Sequence, residues 1–113
     1  MKLKEITDKL GLKVFNPETS LDVDVNSGYS SDLLSDVMAN SKKGQVWITL
    51  QIHQNIIAVA KLKDLAGIIL VNDRKPEEVT LEKAKEEGIP LLSTPETTFT
   101  ISGKLYRLIG ADK

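Results

Sequence analysis

Hydrophobic and polar positions change period several times along the chain. Leu3, Ile6 and Leu10 recur at i, i+3 and i+7, which places them on one face of a helix over residues 1–10. Gly11 follows at the place where a helix closes in the left-handed conformation. Residues 12–15, Leu-Lys-Val-Phe, read as a short strand. Asn16-Pro17 breaks it, because proline restricts the residue before it. Leu21, Val23 and Val25 alternate with Asp22 and Asp24, the period of two expected of a half-buried strand over residues 21–29. The period then lengthens. Leu33, Leu34, Val37 and Met38 form a helical stripe, with Ser30 or Ser31 as N-cap and Asp32 in the first turn, where the helix dipole favours a carboxylate. Gly44 closes that segment.

From residue 45 the rhythm is regular. Residues 45–51 are rich in β-branched and aromatic side chains and predict a strand. Residues 53–67 predict a helix with a wide apolar face, and residues 67–71 a continuous apolar strand covered on both sides. Residues 72–76, Asn-Asp-Arg-Lys-Pro, form a turn, followed by a charged helix that Gly88 ends. Residues 89–93 are another short buried strand. Thr94 as N-cap and Pro95 at the first helical position open a final helical segment, with Gly103 inside it. Strands joined by helices of this length run parallel, with right-handed crossovers. The expected fold is therefore α/β, a three-layer α/β/α arrangement with a mainly parallel sheet of about four to five strands. Residues 46–111 supply its three-strand parallel core, and the two earlier strands extend the sheet. No linker divides the chain, so residues 1–113 are read as one domain. Trp47, Phe99, Tyr106 and the leucines are assigned to the core. Tyr29, beside Gly28, can also be an exposed contact at a loop.

Composition narrows the function classes. Apolar residues make up 41% and charged residues 27%, with a formal net charge of -1. This is the balance of a globular chain and gives no electrostatic footprint for nucleic acid. The absence of cysteine excludes disulfides, thiolate nucleophiles and iron–sulfur ligation. Apolar runs such as residues 56–60 and 67–71 are too short to span a bilayer, and the N-terminal segment reads as an amphipathic helix, not a signal peptide. A cytoplasmic protein is expected.

Candidate chemistry concentrates at one place. In a parallel sheet the loops leaving the carboxyl ends of the strands share one edge, where helix N-termini and free N–H groups favour polar or anionic ligands. Three polar stretches fall there: Gln51, His53, Gln54 and Asn55; Asn72, Asp73 and Arg74; Ser93, Thr94, Thr97 and Thr98. Candidate ligand contacts are His53, Asn55, Asn72, Asp73, Arg74, Thr94 and Thr97. His53, the only histidine, is either a ligand donor or base or the residue that starts a helix. Arg74 either grips a carboxylate or phosphate or is an ordinary turn residue. Asp32 and Asp36 share one helix face with Ser35, an arrangement read as a solvated face and not as a metal site. Neither G-x-x-x-x-G-K-[ST] nor G-x-G-x-x-G nor G-x-S-x-G occurs, so no ATP-binding loop, dinucleotide fingerprint or nucleophile elbow is present.

Three stretches, "DLLSDVMA", "WITLQIHQNIIAVA" and "EEGIPLL", carry a resemblance to the DRTGG domain family. The branch they are most similar to includes the non-catalytic N-terminal domain of HPr kinase/phosphorylase, whose H-x-N form His53 and Asn55 resemble. The resemblance spans roughly residues 27–110. It implies a compact α/β/α regulatory module, often self-associating and often placed beside catalytic or CBS domains. The chain departs from the family at two junctions. Where the Asp-Arg pair belongs it reads Gln51-Ile52-His53, and where Thr-Gly-Gly belongs it reads Asn72-Asp73-Arg74. Kinase chemistry is not implied, since phosphoryl transfer needs a phosphate cradle this chain lacks. The expected function is non-catalytic regulation: a small polar or anionic ligand at the carboxyl edge, acting through a partner or homodimer. The alternative is an interaction or dimerisation module without a small ligand. No cofactor is named by the sequence.

Overall fold

The computed structural model describes residues 1–110. Ala111, the far end of the expected core, lies outside them. The elements are α1 (Leu3–Leu10), β1 (Lys13–Val14), β2 (Ser27–Ser30), α2 (Leu34–Asn40), β3 (Gln45–Thr49), α3 (Asn55–Lys63), β4 (Gly67–Leu70), α4 (Glu78–Glu87), β5 (Leu91–Ser93) and α5 (Thr98–Gly110). They build one five-stranded sheet in the order β1-β5-β4-β3-β2. β2 to β5 are parallel, and β1 joins β5 antiparallel with Lys13 opposite Ser93.

The strands from β2 to β5 step across the sheet in one direction. Right-handed crossovers then put every connecting helix on the same face. Accordingly Val37 of α2, Ile56, Ile57 and Ala60 of α3, and Ala84 of α4 pack on Trp47, Ile68, Leu70 and Leu91. The opposite face needs its own cover, and the chain ends provide it. Leu3 and Ile6 of α1 and Ile101, Leu105 and Ile109 of α5 pack on Val46, Ile48, Ile69 and Leu92. Alternate residues of each strand thus feed two cores, so β3, β4 and β5 are apolar without interruption.

Four expectations are corrected. The alternating stretch at Leu21, Val23 and Val25 is not a strand of the sheet. It runs beside the start of α1, where Leu3 N–H donates to Val23 O (2.8 Å) and Val25 N–H to Met1 O (2.8 Å). The sheet strand lies just after it, at Ser27–Ser30. The helix after it starts later than expected, at Leu34, with no side-chain cap on its first turn. Ser30 belongs to β2, and Ser31 Oγ accepts the Leu33 amide (3.2 Å). Thr94 does not cap α5. Thr97 does, through its hydroxyl to the Thr100 amide (3.3 Å). Finally, Trp47 is fully buried, but Phe99 and Tyr106 are 90% and 80% exposed, and Leu33 and Leu62 are also exposed. Tyr29 is half-buried in β2, with its hydroxyl on Asp36.

Two polar residues hold the margins of the sheet. Asn16, fully buried, donates to Ile89 O (2.8 Å) and accepts the Leu91 amide (2.9 Å). With Phe15 N–H on Leu91 O (2.9 Å), this fastens the short β1 to β5. At the other margin Asn26 Nδ2 donates to Lys43 O (3.1 Å), against Gly44 in its left-handed conformation (φ 83°).

Candidate functional site

The carboxyl ends of the four parallel strands lie on one edge, and the loops that leave them are strapped to each other in turn. At the end of β2, Asp32 Oδ1 accepts both the Thr49 hydroxyl and the Leu50 amide at 2.9 Å. Gln51 Nε2 donates back to Asp32 O (2.9 Å). Asp32 therefore ties the β2–α2 loop to the end of β3 and does not serve a helix dipole. The β3–α3 loop is held to α4, since Ile52 O accepts the Thr80 hydroxyl (2.7 Å) and the Glu77 amide (3.3 Å). The β4–α4 loop is held to the segment after β5: Asn72 N–H donates to Glu96 O (2.9 Å) and Asp73 N–H to Thr94 O (2.8 Å).

His53 starts α3. Its Nδ1 accepts the Asn55 amide (3.2 Å), and its carbonyl accepts the Ile56 amide (3.1 Å). In the neutral ring an accepting Nδ1 puts the proton on Nε2. The exposed side of the imidazole is then a hydrogen-bond donor, not a base. Asn72 and Asp73 both hold the left-handed conformation (φ 57° and 56°). Asn and Asp tolerate it better than other residues with side chains. These two stand in the stretch where the resemblance puts the family's Thr-Gly-Gly, with Asp73 at the first of its glycines, so the backbone bend is made without glycine. Their amides, and that of Arg74 on Val71 O (3.2 Å), are all engaged within the protein. The same holds for the first amides of α3. An anion at this edge finds few free backbone donors and depends on side chains.

The candidates differ in what they offer. Thr94 is buried, and its hydroxyl accepts the Glu96 amide (3.3 Å). Thr97 is occupied as the cap of α5. His53, Asn55, Asn72, Asp73 and Arg74 are exposed. Among the described residues the side chains of Asn55, Asn72 and Arg74 have no protein partner. No group of three or more histidine, aspartate or glutamate side chains placed to hold a metal occurs among the described residues.

Asp36 sits apart from this edge network. The Ser31 hydroxyl, then Asn40 and Tyr29, hold its carboxyl below the ordinary carboxylate range. Its hydrogen bond from Tyr29 in turn raises the phenol. The main grooves are elsewhere as well. One of about 840 Å³ runs between β2 and α5, bordered by Gly28, Ser30, Ile48, Phe99, Ser102 and Tyr106. A second flanks the other side of α5, against α1. None of the seven candidate residues lines either groove. The sequence offered no signal for them, because both aromatic side chains read as core.

The family model described as the DRTGG domain matches residues 29–108, well over half of the chain. The chain belongs to the DRTGG domain family. This DRTGG domain also resembles a solved structure, that of the CBS and DRTGG domains of the regulatory region of Clostridium perfringens pyrophosphatase, complexed with its activator diadenosine tetraphosphate. The TM-score is 0.65 at 17% sequence identity, over 92% of this chain and 45% of the other. The DRTGG domain here thus spans under half of that region, and the likeness is one of fold. No helix among its described residues is long and apolar enough to cross a membrane.

Proposed function

We propose that this DRTGG domain is a cytoplasmic regulatory module, one domain over residues 1–113. It binds a small polar or anionic ligand at the carboxyl edge of its sheet and acts through a partner or a second copy of itself. The observation that carries the reading is the set of unengaged exposed side chains, Asn55, Asn72 and Arg74 with the Nε2 side of His53, held on loops that are strapped together. The fixed loops lower the ordering cost of binding, and Arg74 supplies the charge-assisted donor the engaged amides do not. Asp73 lies beside it and disfavours a dense anion, which turns the preference toward a ligand with both polar and anionic parts. The activator bound in the pyrophosphatase regulatory region makes adenine nucleotides the first probes.

The test is a thermal-shift and calorimetric screen with adenine mononucleotides, diadenosine tetraphosphate and acidic metabolites. A ligand at a hundredfold excess over its Kd stabilises the folded state by about 2.7 kcal/mol. Arg74→Ala should weaken binding by about 10- to 100-fold, the weight of a charge-assisted hydrogen bond. If no probe stabilises the protein, or if Arg74→Ala binds as wild type, the ligand reading falls. A second reading, an association module without a small ligand, is favoured by the exposure of Phe99 and Tyr106 on α5.

A further inference from the structure

We infer that the free edge of β2, with the groove beside α5, receives an extended, uncharged peptide segment of a partner protein as an added strand of the sheet. The inference names the partner-binding part of the proposed function and rests on it, but it uses none of the residues at the carboxyl edge.

The five-stranded sheet has two margins, and the chain treats them differently. The margin at β1 is closed. Its strand is two residues long, carries Lys13 and runs into Asn16-Pro17. Short length, lysine and proline all discourage a further strand. The margin at β2 has four residues, Ser-Gly-Tyr-Ser, with neither charge nor proline. β2 is last in the strand order, so among the described residues no strand pairs with its outer side.

The register shows which groups point outward. Ser31 N–H donates to Ile48 O (3.2 Å), just beyond the Ser30–Ile48 pair. Successive residues of a strand turn their backbone groups to opposite sides, so Ser27 and Tyr29 bond inward to β3 as Ser31 does. Gly28 and Ser30 turn N–H and C=O outward. Both are exposed, and these backbone groups have no partner among the described residues. Donors and acceptors repeating at this spacing match the edge of another strand.

The groove receives the side chains of that strand. Gly28 and Ser30 face α5: Ser30 Oγ meets Ser102 Oγ at 2.7 Å, and a Cβ on Gly28 would stand 2.8 Å from Leu105 Cδ2. A strand laid beside β2 sends every second side chain to this same face. There the groove has buried Ile48, Leu105 and Ile109 at its floor and exposed Phe99 and Tyr106 at its rim. No acidic or basic side chain borders it. A charge placed in it would lose water without gaining a counter-charge, which selects an uncharged segment with apolar residues at alternate positions. The groove on the other side of α5 is bordered by Glu5, Lys9, Lys104 and Arg107 and has no strand edge. In strand addition the main-chain bonds give affinity and the alternate side chains give specificity, so a large buried area is not required.

Random dodecapeptides displayed on phage are selected on the whole protein, and the recovered peptides are synthesised. Uncharged apolar residues at every second position are expected, with shifts of the Gly28 and Ser30 amides in nuclear magnetic resonance. N-methylation of one peptide amide at a time should weaken binding at alternate positions only, a readout that needs no variant of the protein. Ser30→Pro removes one outward N–H and leaves the bonds to β3 in place, so it should weaken binding by about 2- to 12-fold, the weight of one backbone hydrogen bond. Tyr106→Asp puts a charge at the groove rim and should weaken binding at unchanged melting temperature, since this side chain is exposed. A flat N-methyl scan, or binding that both substitutions leave unchanged, overturns the strand site while leaving partner binding standing. Concentration-dependent protection of the Gly28 and Ser30 amides in the free protein gives the edge to a second copy and overturns the peptide proposal. Recovery of no binder overturns the strand site and the partner reading together.

Discussion

Replacing Asn16 by alanine strips the partners from two buried backbone groups at once. Asn16 Nδ2 donates to Ile89 O at 2.8 Å, and its Oδ1 accepts the Leu91 amide at 2.9 Å. The side chain is fully buried, so water does not take over either bond in the native packing. An unsatisfied buried donor or acceptor costs about 1–3 kcal/mol, which puts Asn16→Ala at about 2–6 kcal/mol. A domain of this size has roughly 5–15 kcal/mol in total. At about 4 °C per kcal/mol, the melting temperature should fall by roughly 8–24 °C. The assay is urea unfolding followed by the fluorescence of Trp47, the single tryptophan, which is fully buried in the core beneath α2 and α3. The midpoint should fall at unchanged slope. Thr19→Ala is the control, since it removes only the weaker contact from Asn16 Nδ2 at 3.1 Å. Asn16→Asp keeps the acceptor for Leu91 but loses the donor and buries a charge. Burial raises such a carboxyl, so this variant should gain stability as the pH falls. A loss under about 1 kcal/mol for Asn16→Ala would refute the reasoning that this residue fastens β1.

At His53, capping and ligand contact are separable. His53→Ala should cost about 0.5–1 kcal/mol by chemical denaturation, whereas His53→Asp restores the cap without restoring the Nε2 donor. A stability unchanged in His53→Ala counts against the Asn55 amide bond as a cap. Asp36 should give the protein an acid-side stability dependence. Its carboxyl is lowered in the folded state by Ser31, Asn40 and Tyr29, so the stabilisation is present above the unfolded value near 3.8 and is lost as pH falls through the folded one. Asp36→Asn should flatten the melting-temperature profile at acid pH and bring the Tyr29 phenol back toward its ordinary value in ultraviolet titration of a Tyr106→Phe background. A profile identical to wild type argues against the contact.

Much of this architecture could be read from the chain, for reasons that also explain the misses. β3, β4 and β5 are buried on both faces, so their apolar runs have no competing pattern. The alternation at Leu21, Val23 and Val25 is equally real, but period two reports only that one side of an extended segment is covered. Here the cover is α1, not a neighbouring strand. The aromatic residues of α5 misled for a related reason: hydrophobicity alone does not say which of two apolar stripes meets the sheet. Four-residue spacing at Ile101, Leu105 and Ile109 identifies the buried one once the helix is seen. Asn16 had no signal, because an asparagine before proline reads as a turn. The candidate loops were found from topology. That their amides are engaged depends on the pairing of Asn72 with Glu96 and Asp73 with Thr94, distant in sequence, which no local pattern carries.

The pairing of β1 with β5 has a consequence for how the chain comes to fold during translation. Asn16 meets partners 73 and 75 positions further on. Until Leu91 has left the ribosome, the first strand has nothing to dock on, and Leu3 and Ile6 lack Leu92 and Ile101 as cover. At about 5–20 residues per second the N-terminal segment waits several seconds, while adjacent parallel strands are free to associate. Its capture closes a loop of most of the chain, the slow kind of step that long-range contacts impose. A nascent chain halted before residue 91 should therefore show α1 and β1 open to protease, and one halted beyond α5 should show them protected.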